Sequence, residues 1–414
     1  MTGSATPRID LSRLMGRLEA LGRIGALPGG GVCRLALTAE DGEGRRLVVG
    51  WMKELGLEVT VDRIGNVRGV RAGRSDGAPV MIGSHIDTVA TGGLYDGNLG
   101  VLAGLEVVQA LNDAGHVTRR PLAVAFFTNE EGARFAPDMM GSAVHQGALD
   151  LDTALATVGI DGRTVADELA AIGFSGDAPP KSLTPHAFLE LHIEQGPVLE
   201  REGIAIGAVT GVQGISWTEV TVSGVSNHAG TTPMAMRCDA GVVAARAITA
   251  VRDIAERLGG AQVATVGALR LEPGLVNVVP RKAVFTVDLR NTDEAILKEA
   301  ERLAAEAIAE AARAEGATVS SRSLARFEPV AFASEIVDLV EATAKRHGAS
   351  VERMPSGAGH DAQMFAPDCP TGMIFVPSRD GLSHNVREYT APQEIGLGAE
   401  ILLDVVLHLA DADD

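Results

Sequence analysis

The chain has 414 residues, of which 46% are hydrophobic and only 3% aromatic. This length exceeds what one hydrophobic core usually serves, so we expect two domains packed largely by Ala, Val and Gly. A formal net charge of −18 argues against nucleic acid or an anionic membrane as a partner, and leaves local positive charge as the means of attracting an anionic substrate.

Helical and extended patterns alternate in the first half of the chain. The predicted elements are, in chain order, a helix at 11–21, a helix at 38–55, a strand at 79–82, a helix at 99–112 and a strand at 121–127. Thr38 is the candidate N-cap of the second helix. This order is typical of a mixed, mostly parallel sheet flanked by helices, so we expect an α/β fold.

The segment 210–326 has a different pattern, in which each strand precedes a long helix. The predicted elements are a strand at 217–222, a helix at 239–258, a strand at 283–289 and a helix at 293–315. Thr292 is the candidate N-cap of the last helix, and Gly316 is its candidate C-cap. We therefore expect an inserted α+β domain at 210–326, with the α/β domain formed by residues 1–209 and 327–414.

Polar side chains follow four apolar segments of the expected α/β domain. The first such place, GSHIDTVATGGLYDGNLG at 83–100, combines histidine and aspartate with a glycine-rich turn. Because ligands bind beyond the carboxyl ends of parallel strands, we expect these side chains to lie close together. They are His85, Asp87 and Asp96 after the first segment, Asn129, Glu130 and Glu131 after the second, His192 after the third and His384 after the fourth.

This combination of imidazole and carboxylate groups predicts a site for two divalent metal ions. Zinc, manganese, cobalt and nickel accept such ligands, with selectivity set largely by geometry and supply. Two-metal sites about 3.5 Å across typically share one carboxylate between the ions. Asp96 is the candidate bridge, since its Gly-Gly-Leu-Tyr-Asp-Gly loop can bend close to the metals. A lone histidine at a strand end is more often structural, so the prediction depends on all four endings together.

Glu130 and Glu131 are adjacent, and neighbouring side chains at a strand end diverge. We expect one of them to face the metals and the other to face the substrate. A metal lowers the pKa of bound water from about 15.7 to about 7, so a glutamate beside that water can act as a general base.

Short motifs across nearly the whole chain resemble one superfamily. The HxD pair at His85, the YDG loop, the NEEG segment and the SHN segment at His384 resemble the dinuclear metallo-aminoacylases and carboxypeptidases of peptidase clan MH, the M20 peptidases among them. HIEQGPVLE, SNHAGTTPM, PGLVNVVP and SGAGHDAQ resemble the branch of N-carbamoyl-amino-acid hydrolases, allantoate amidohydrolases and ureidopropionases. Peptidases of this superfamily commonly have a carboxylate where this chain has His192, which favours ureido substrates over peptides.

The resemblance implies how the metal ligands are shared. His85 and His192 bind one ion, Glu131 and His384 bind the other, and Asp96 spans both.

The resemblance also implies that Glu130 is the general base. A metal-bound hydroxide then attacks the ureido carbonyl, and Glu130 returns the proton to the leaving nitrogen. Asp87 lies two residues from His85, where its carboxylate could accept the far ring N–H and fix the tautomer. An ordinary turn-capping role is the alternative for Asp87.

The inserted domain is, by the same resemblance, a dimerisation lid, and the protein a homodimer. His228 then comes from the lid of the partner subunit and helps to stabilise the carbonyl oxyanion. Gln195 and Asn277 lie in motifs of the branch and are candidate substrate ligands. Arg290 is the candidate clamp for a substrate carboxylate, because the apolar residues that alternate with it lie on the other face of its strand.

The expected function is hydrolysis of the ureido C–N bond of N-carbamoyl-L-amino acids, which releases the amino acid, ammonia and CO2. Ser216 and Trp217 favour this substrate, since allantoate amidohydrolases tend to have arginines there. Allantoate amidohydrolase and β-ureidopropionase are the alternatives, and a peptidase or N-acyl-amino-acid deacylase is a more distant one. A non-catalytic binding protein is disfavoured, because every proposed metal position and Glu130 is filled. His360 is interpreted as structural support.

Cysteine usage and the first residues indicate the compartment. Cys33, Cys238 and Cys369 are odd in number and far apart, which is typical of packed thiols in a reducing environment. Residues 1–10 do not combine a cationic segment with an apolar stretch, and the chain lacks about 18 uninterrupted apolar residues. We therefore expect a cytoplasmic protein with neither a secretory signal nor a membrane span.

Overall fold

Two units make up the part of the chain that the computed structural model describes, residues 6–412. One unit ends at Gly211 and resumes at Ala331, and the other is the intervening segment Val212–Val330. These boundaries lie close to the positions 210 and 326 expected from the sequence.

The helices and the cysteines can be compared with the expectations of no membrane span and of unpaired thiols. Among the described residues, no helix has both the length and the apolar character needed to cross a membrane. All three cysteines are free thiols, and Cys369 is buried. The expectation that residues 1–10 contain no leader falls in part on residues 1–5, which lie outside the described residues.

Twelve α-helices and fourteen β-strands follow one another along residues 6–412. The helices are α1 (Leu11–Gly22), α2 (Ala39–Glu54), α3 (Asn98–Asp113), α4 (Met140–Gln146), α5 (Leu151–Ala156), α6 (Val165–Ile172), α7 (Val198–Glu202), α8 (Ala240–Leu258), α9 (Glu294–Ala314), α10 (Ser334–Arg346), α11 (Asp361–Phe365) and α12 (Pro392–Asp411). The strands are β1 (Glu58–Val61), β2 (Val67–Arg71), β3 (Val80–His85), β4 (Leu122–Phe127), β5 (Ala187–Ile193), β6 (Ile206–Val212), β7 (Gly214–Ser223), β8 (Val263–Thr265), β9 (Leu269–Glu272), β10 (Lys282–Asn291), β11 (Thr318–Phe327), β12 (Val330–Ala331), β13 (Val351–Ser356) and β14 (Thr371–Val376).

The first unit contains a nine-stranded sheet in the order β1-β2-β4-β3-β5-β14-β6-β12, with β13 also paired to β6. Its four central strands, β4, β3, β5 and β14, are parallel. By contrast, β1 is antiparallel to β2, β2 is antiparallel to β4, and β6 is antiparallel to β14. The expected mixed sheet is confirmed, with its parallel part confined to the centre, where crossover connections such as α3 join the strands.

Helices cover both faces of the central strands. Leu191 in β5 lies against Gly398 of α12, and its main-chain oxygen lies beside Gly100 of α3. Phe188 points to the opposite face of β5 and stacks on Phe365 of α11, with ring centroids 4.1 Å apart. Every residue of the four central strands is buried, which explains why their sequences are largely apolar, with Ser84, Glu190 and His192 among the polar exceptions.

Helix caps agree with the predictions at one helix and differ at another. Thr38 caps α2, and its hydroxyl accepts a hydrogen bond from the third amide beyond it. The N-cap predicted at Thr292 is wrong, because Asp293 caps α9 and its carboxylate accepts from two amides of the first turn, at 2.8 and 3.0 Å. A carboxylate is also favoured there by the helix dipole. Gly316 follows the end of α9 with a left-handed φ of 65°.

The second unit is an antiparallel sheet covered by two long helices. The strand order is β11-β7-β10-β8, with β9 also paired to β10. The apolar side of β10 packs with α8 and α9 in one hydrophobic core, as its alternation predicted. The residues of β10 on that side are Ala283, Phe285, Val287 and Leu289, all of them buried.

His145 in α4 is buried among apolar rings. Its ring centroid lies 5.1 Å from that of Phe365 and 6.3 Å from that of Phe127. Burial lowers the pKa of His145 to about 4, whereas an exposed histidine titrates near about 6.5. The unfolded chain therefore binds this proton at a higher pH than the folded chain does. The contribution of His145 to stability is intact above the unfolded pKa and is lost as pH falls toward 4.

We expect His145→Gln to reduce the acid sensitivity of folding. Between pH 7 and pH 5 the free energy of unfolding of the wild type should fall by about 2 kcal/mol more than that of the variant. Urea unfolding at the two pH values measures the difference. His408→Gln, at an exposed position of α12, is the matched control and should behave as the wild type. An equal fall in wild type and His145→Gln would contradict the prediction.

Candidate metal centre

The carboxyl ends of the four parallel strands lie at the same end of the sheet, and polar side chains lie at or after each of them. His85 at the end of β3 pairs with Phe127 at the end of β4, and His192 in β5 pairs with Phe375 in β14. Strand ends at the same level bring the residues that follow them together. The predicted residues that meet here are His85, Asp87, Asp96, Glu130, Glu131, His192 and His384.

Asp96 lies in the middle of this cluster. Its Oδ1 is 3.2 Å from His192 Nε2 and 3.7 Å from His85 Nε2. Its Oδ2 is 3.3 Å from His384 Nε2, which is also 3.1 Å from Glu131 Oε2. Among the described residues, three groups of three possible ligands have their ligand atoms within 4.8 Å of one another, and Asp96 belongs to two of them, with His85 and His192 in one and with Glu131 and His384 in the other.

Main-chain carbonyls orient two of the imidazoles. His85 Nδ1 lies 3.0 Å from the carbonyl oxygen of Asp87, and His192 Nδ1 lies 2.9 Å from that of Ile193. A carbonyl can only accept, so Nδ1 donates, and in the neutral ring the lone pair that could bind a cation is on Nε2, the nitrogen nearer to Asp96. The prediction that the Asp87 carboxylate accepts from His85 is wrong. Its Oδ1 is 4.0 Å from Nδ1, because the turn after β3 brings the main-chain oxygen closer.

Gly97 allows the Asp96 loop to pass close to the imidazoles. Its φ of 64° is left-handed, and a Cβ at this position would lie 2.3 Å from His85 Nε2. Its main-chain nitrogen lies 3.1 Å from His192 Nε2. A side chain at residue 97 would therefore displace the ring of His85, and only glycine satisfies both the turn and the close approach.

The Asp87 carboxylate holds the two adjacent glutamates. Its Oδ1 accepts from the main-chain N–H of Glu130 and its Oδ2 from that of Glu131, each at 3.3 Å. Glu130 Oε2 then lies 3.4 Å from His85 Nε2, whereas Glu131 reaches His384. The two side chains diverge as expected, and one carboxylate positions both of their backbones.

Three residues of the site have backbone conformations that favour glycine. Asn129, Gln195 and His384 have φ values of 57°, 58° and 52°. Each such residue costs on the order of 1 kcal/mol or more, so the surrounding contacts must hold it in place. Asn129 is held by its side-chain amide, which donates to the carbonyls of Phe135 and Pro137 at 2.8 and 3.1 Å. The strain lies where strands give way to the loops that carry the site.

Glu388 is a buried residue of the site that the sequence analysis missed. Its Oε1 accepts from the main-chain N–H groups of Tyr95 and Asp96, at 3.1 and 3.2 Å. Ser383 Oγ lies 3.1 Å from Glu388 Oε2 and 3.0 Å from Asp96 Oδ2. Burial raises the pKa of Glu388 to about 7. Its place four residues after His384 was the only signal in the sequence, and by itself it marks no function.

His360 lies closer to the centre of the site than the sequence analysis expected. Its ring contacts that of His192 edge to face, with centroids 4.6 Å apart, and its Nε2 is 2.8 Å from Ser356 Oγ. Burial lowers the pKa of His360 well below its ordinary value, so the ring is neutral. It lines a cavity of about 100 Å³ together with Asp96, Glu130, Glu131, Asp138, His192, Gln195, Ala358, Gly359 and His384.

Charges at the site are strongly coupled when no cation is bound. Burial opposes a charge on Asp96, but hydrogen bonds from the three imidazoles hold its pKa well below the usual range. Hydrogen bonds to Asp96 and Glu131 raise the pKa of His384 to about 10. Burial also opposes protonation of His85, yet the neighbouring carboxylates, Glu130 first, raise its pKa well above the ordinary value. Burial raises the pKa of Glu130 well above that of an exposed glutamate.

This set of donors fits two divalent cations. Three imidazole nitrogens and the carboxylates of Asp96 and Glu131 form two groups that share Asp96. His85 and His192 could hold one ion, and Glu131 and His384 could hold the other. A cation at each position would replace the protons that the imidazoles otherwise share with the carboxylates.

Three predicted substrate residues belong to the inserted unit, where they lie on its surface or close to it. His228 and Asn277 are exposed. Arg290 forms an ion pair with both carboxylate oxygens of Asp288, at 3.0 to 3.2 Å, and its guanidinium lies 5.7 Å from the ring centroid of Trp217.

The chain is similar in sequence and in fold to several named hydrolases. Residues 81–408 match the profile of peptidase family M20/M25/M40. An N-carbamoyl-L-amino-acid amidohydrolase of Rhizobium meliloti is 43% identical over 98% of this chain and 97% of that protein. A ureidoglycolate hydrolase of Oryza sativa is 33% identical over 97% of this chain and 85% of that protein. The crystal structure of a hydantoinase/carbamoylase family amidase from Burkholderia multivorans matches with a TM-score of 0.96 and 44% identity, over 99% of this chain and 100% of that chain.

We expect metal binding to release protons and to strengthen as pH rises. Without a bound cation, His384 keeps its proton up to a pKa of about 10. At pH 7 an arriving cation must displace that proton, and the competition weakens as pH rises toward this pKa. Calorimetric titration with Zn²⁺ in two buffers of different ionisation enthalpy measures the number of protons released.

The control for this measurement replaces the titrating ring. His384→Gln should bind metal more weakly and release fewer protons. His347→Gln removes a surface histidine that pairs with Asp404, and it should leave the release unchanged. Equal proton release from wild type and His384→Gln would contradict the prediction.

We expect Glu388→Ala to weaken metal binding by roughly ten- to a hundred-fold. The main-chain amides of Tyr95 and Asp96 would lose their acceptor, and the Asp96 carboxylate its fixed position. Glu388→Gln keeps one acceptor oxygen and should have a smaller effect. Competition with a chromophoric chelator measures the affinities. If Glu388→Ala bound metal as tightly as the wild type, the position of the Asp96 loop would not depend on Glu388, and the prediction would be contradicted.

Proposed function

Because the chain belongs to peptidase family M20/M25/M40, we propose that it cleaves the ureido C–N bond of N-carbamoyl-L-amino acids and releases the amino acid, ammonia and CO2. Similarity over the full length to an N-carbamoyl-L-amino-acid amidohydrolase supports this reaction. The observation that carries the assignment is that an imidazole, His192, shares Asp96 with His85. The peptidases that the chain resembles commonly have a carboxylate in place of His192.

We assign the proton transfers to Glu130. Zinc, manganese, cobalt or nickel ions, when bound, polarise the scissile carbonyl and lower the pKa of water. Glu130 accepts the proton of that water and later delivers it to the leaving nitrogen. Two features support this role: Asp87 holds the Glu130 backbone, and burial raises the pKa of the Glu130 carboxyl.

Substrate recognition is assigned to Gln195, Asn277 and Arg290. Gln195 Nε2 donates to Asp96 Oδ2 at 3.0 Å and lines the cavity at the metal centre, which supports a role beside the reacting carbonyl. Arg290 presents a planar fork of donors, which is suited to a carboxylate. Its contact with Trp217 supports this role, because it orients the guanidinium plane. A substrate carboxylate would have to replace Asp288, which now occupies the Nε and Nη2 donors.

His228 is assigned to the oxyanion of the reacting carbonyl, supplied by a second copy of the chain. The family resemblance supports a homodimer formed through the inserted unit. His228 is exposed on that unit, and an exposed ring is available to a neighbouring protomer.

Ureidoglycolate is the second candidate substrate, since two relatives are named ureidoglycolate hydrolase. It also carries a carboxylate next to a ureido group, so the same donors suit it. Allantoate is less favoured, because Ser216 and Trp217 stand where a cationic donor to its second ureido group would be expected. The loss of one charged hydrogen bond weakens binding by about 1.5 to 3 kcal/mol.

The test is product release by metal-reconstituted protein from a panel of compounds. The panel contains N-carbamoyl-L-amino acids, their D forms, ureidoglycolate, allantoate, 3-ureidopropionate and N-acetyl-L-amino acids. We expect turnover of the N-carbamoyl-L-amino acids, and a fall in kcat of roughly 10² to 10⁴ in Glu130→Gln, since the general base is lost. The metal content of Glu130→Gln should equal that of the wild type.

Two further results make the assay decisive. Glu335→Gln, at an exposed position of α10, should retain the activity of the wild type. Selective turnover of ureidoglycolate would favour the second candidate. Hydrolysis of the N-acetyl compounds without hydrolysis of any ureido compound would overturn the proposal and favour a deacylase.

A further inference from the structure

The ring of His228 accepts two main-chain hydrogen bonds at the same nitrogen. Its Nδ1 is 3.1 Å from the N–H of Gly230 and 3.2 Å from that of Thr231. A backbone N–H can only donate, so Nδ1 must be an acceptor and carry no hydrogen. The neutral ring then has its hydrogen on Nε2. The loop therefore selects one of the two tautomers of His228.

The chain around His228 is held on one side by a neighbouring extended segment. His228 forms an antiparallel bridge with Val278. Next to it, the N–H of Ala229 donates to the carbonyl of Asn277 at 2.9 Å. These bonds fix where the loop begins, but they do not reach the two amides that face the ring. Gly230 allows one of those amides to approach, because a Cβ there would lie 3.3 Å from His228 Cε1.

Arg237 holds the loop on the other side. Its Nη2 donates to the carbonyl of Ala229 at 2.6 Å, and its Nε donates to the carbonyl of Thr232 at 3.1 Å. These two carbonyls flank the peptide segment that supplies both amides to the ring. The guanidinium is half-buried and planar, so it fixes the separation of the two carbonyls in a way that a flexible ammonium does not.

We propose that Arg237 is a positioning residue that keeps His228 in the Nε2–H tautomer, so that Nε2 always presents a donor. The inference rests on the proposed function, in which His228 stabilises an oxyanion. An oxyanion is stabilised by a donor aimed at it in advance, whereas the other tautomer would present a lone pair and repel it. Arg237 thus acts on the reaction through His228, without touching the substrate.

The test reads the tautomer directly, on the full chain labelled with ¹⁵N-histidine. Long-range ¹H–¹⁵N spectra distinguish Nε2–H from Nδ1–H, and His228→Gln assigns the signal. We expect a single Nε2–H tautomer in the wild type and a mixture of tautomers in Arg237→Met. We also expect kcat to fall roughly tenfold in Arg237→Met, as for other residues that orient a functional group, with KM changed less than twofold.

Control variants separate this role from general stability. Arg252→Met removes an exposed arginine of α8 that pairs with Glu256, and it should leave both the tautomer and kcat unchanged. Arg237→Gln keeps one amide donor and serves in place of Arg237→Met if that variant does not fold. It too should give a mixture of tautomers.

Two results would overturn the inference: an Nδ1–H tautomer in the wild type, or a pure Nε2–H tautomer in a folded Arg237 variant. The tautomer is read without turnover. Suppose that the protein hydrolyses no ureido compound but that replacement of Arg237 still gives a mixture of His228 tautomers. That result would overturn the proposed function and support the role of Arg237 in holding the ring.

Discussion

The Asp96 carboxylate is the group on which the proposed chemistry depends, because both of its oxygens face imidazole nitrogens and both candidate cation positions include it. Its place is set from several directions. Glu388 accepts from its main-chain N–H, Gly97 lets the loop turn against His85, and the parallel strands bring the imidazoles to the same level. Adjacent strands are about 4.8 Å apart and the ions of a two-metal site are about 3.5 to 4 Å apart, so the ends of neighbouring strands can supply ligands to both ions.

The residues that meet at the strand ends could be predicted because their signals are local. A parallel strand buried on both faces is an unbroken apolar run, and the polar residues that follow it are visible within a few positions. Glu388 could not be found in this way, since the amides of Tyr95 and Asp96 that it holds lie nearly 300 residues earlier in the chain. The helices α4–α7 were not predicted either, because none exceeds eight residues and such short segments show little periodicity.

Two predictions from the sequence were wrong by a small margin. One named the correct residue but the wrong atom, and the other named the neighbouring residue. Asp87 does orient His85, but through its main-chain oxygen, while its carboxylate holds the two glutamates. The cap of α9 is one residue later than expected, at Asp293. Spacing along the chain determines which residues are near one another. The choice between a side-chain and a main-chain acceptor depends on turn geometry, which a single sequence does not specify.

The main-chain anchors of His85 and His192 have a consequence for how such a site can evolve. Each Nδ1 is held by a carbonyl oxygen, and every residue has one, so substitution at the anchoring position leaves that acceptor in place. Side-chain substitutions at the two anchoring positions therefore leave the acceptors of the His85 and His192 rings unchanged. The residues that recognise the substrate can then diverge among relatives while the tautomers of these two histidines persist.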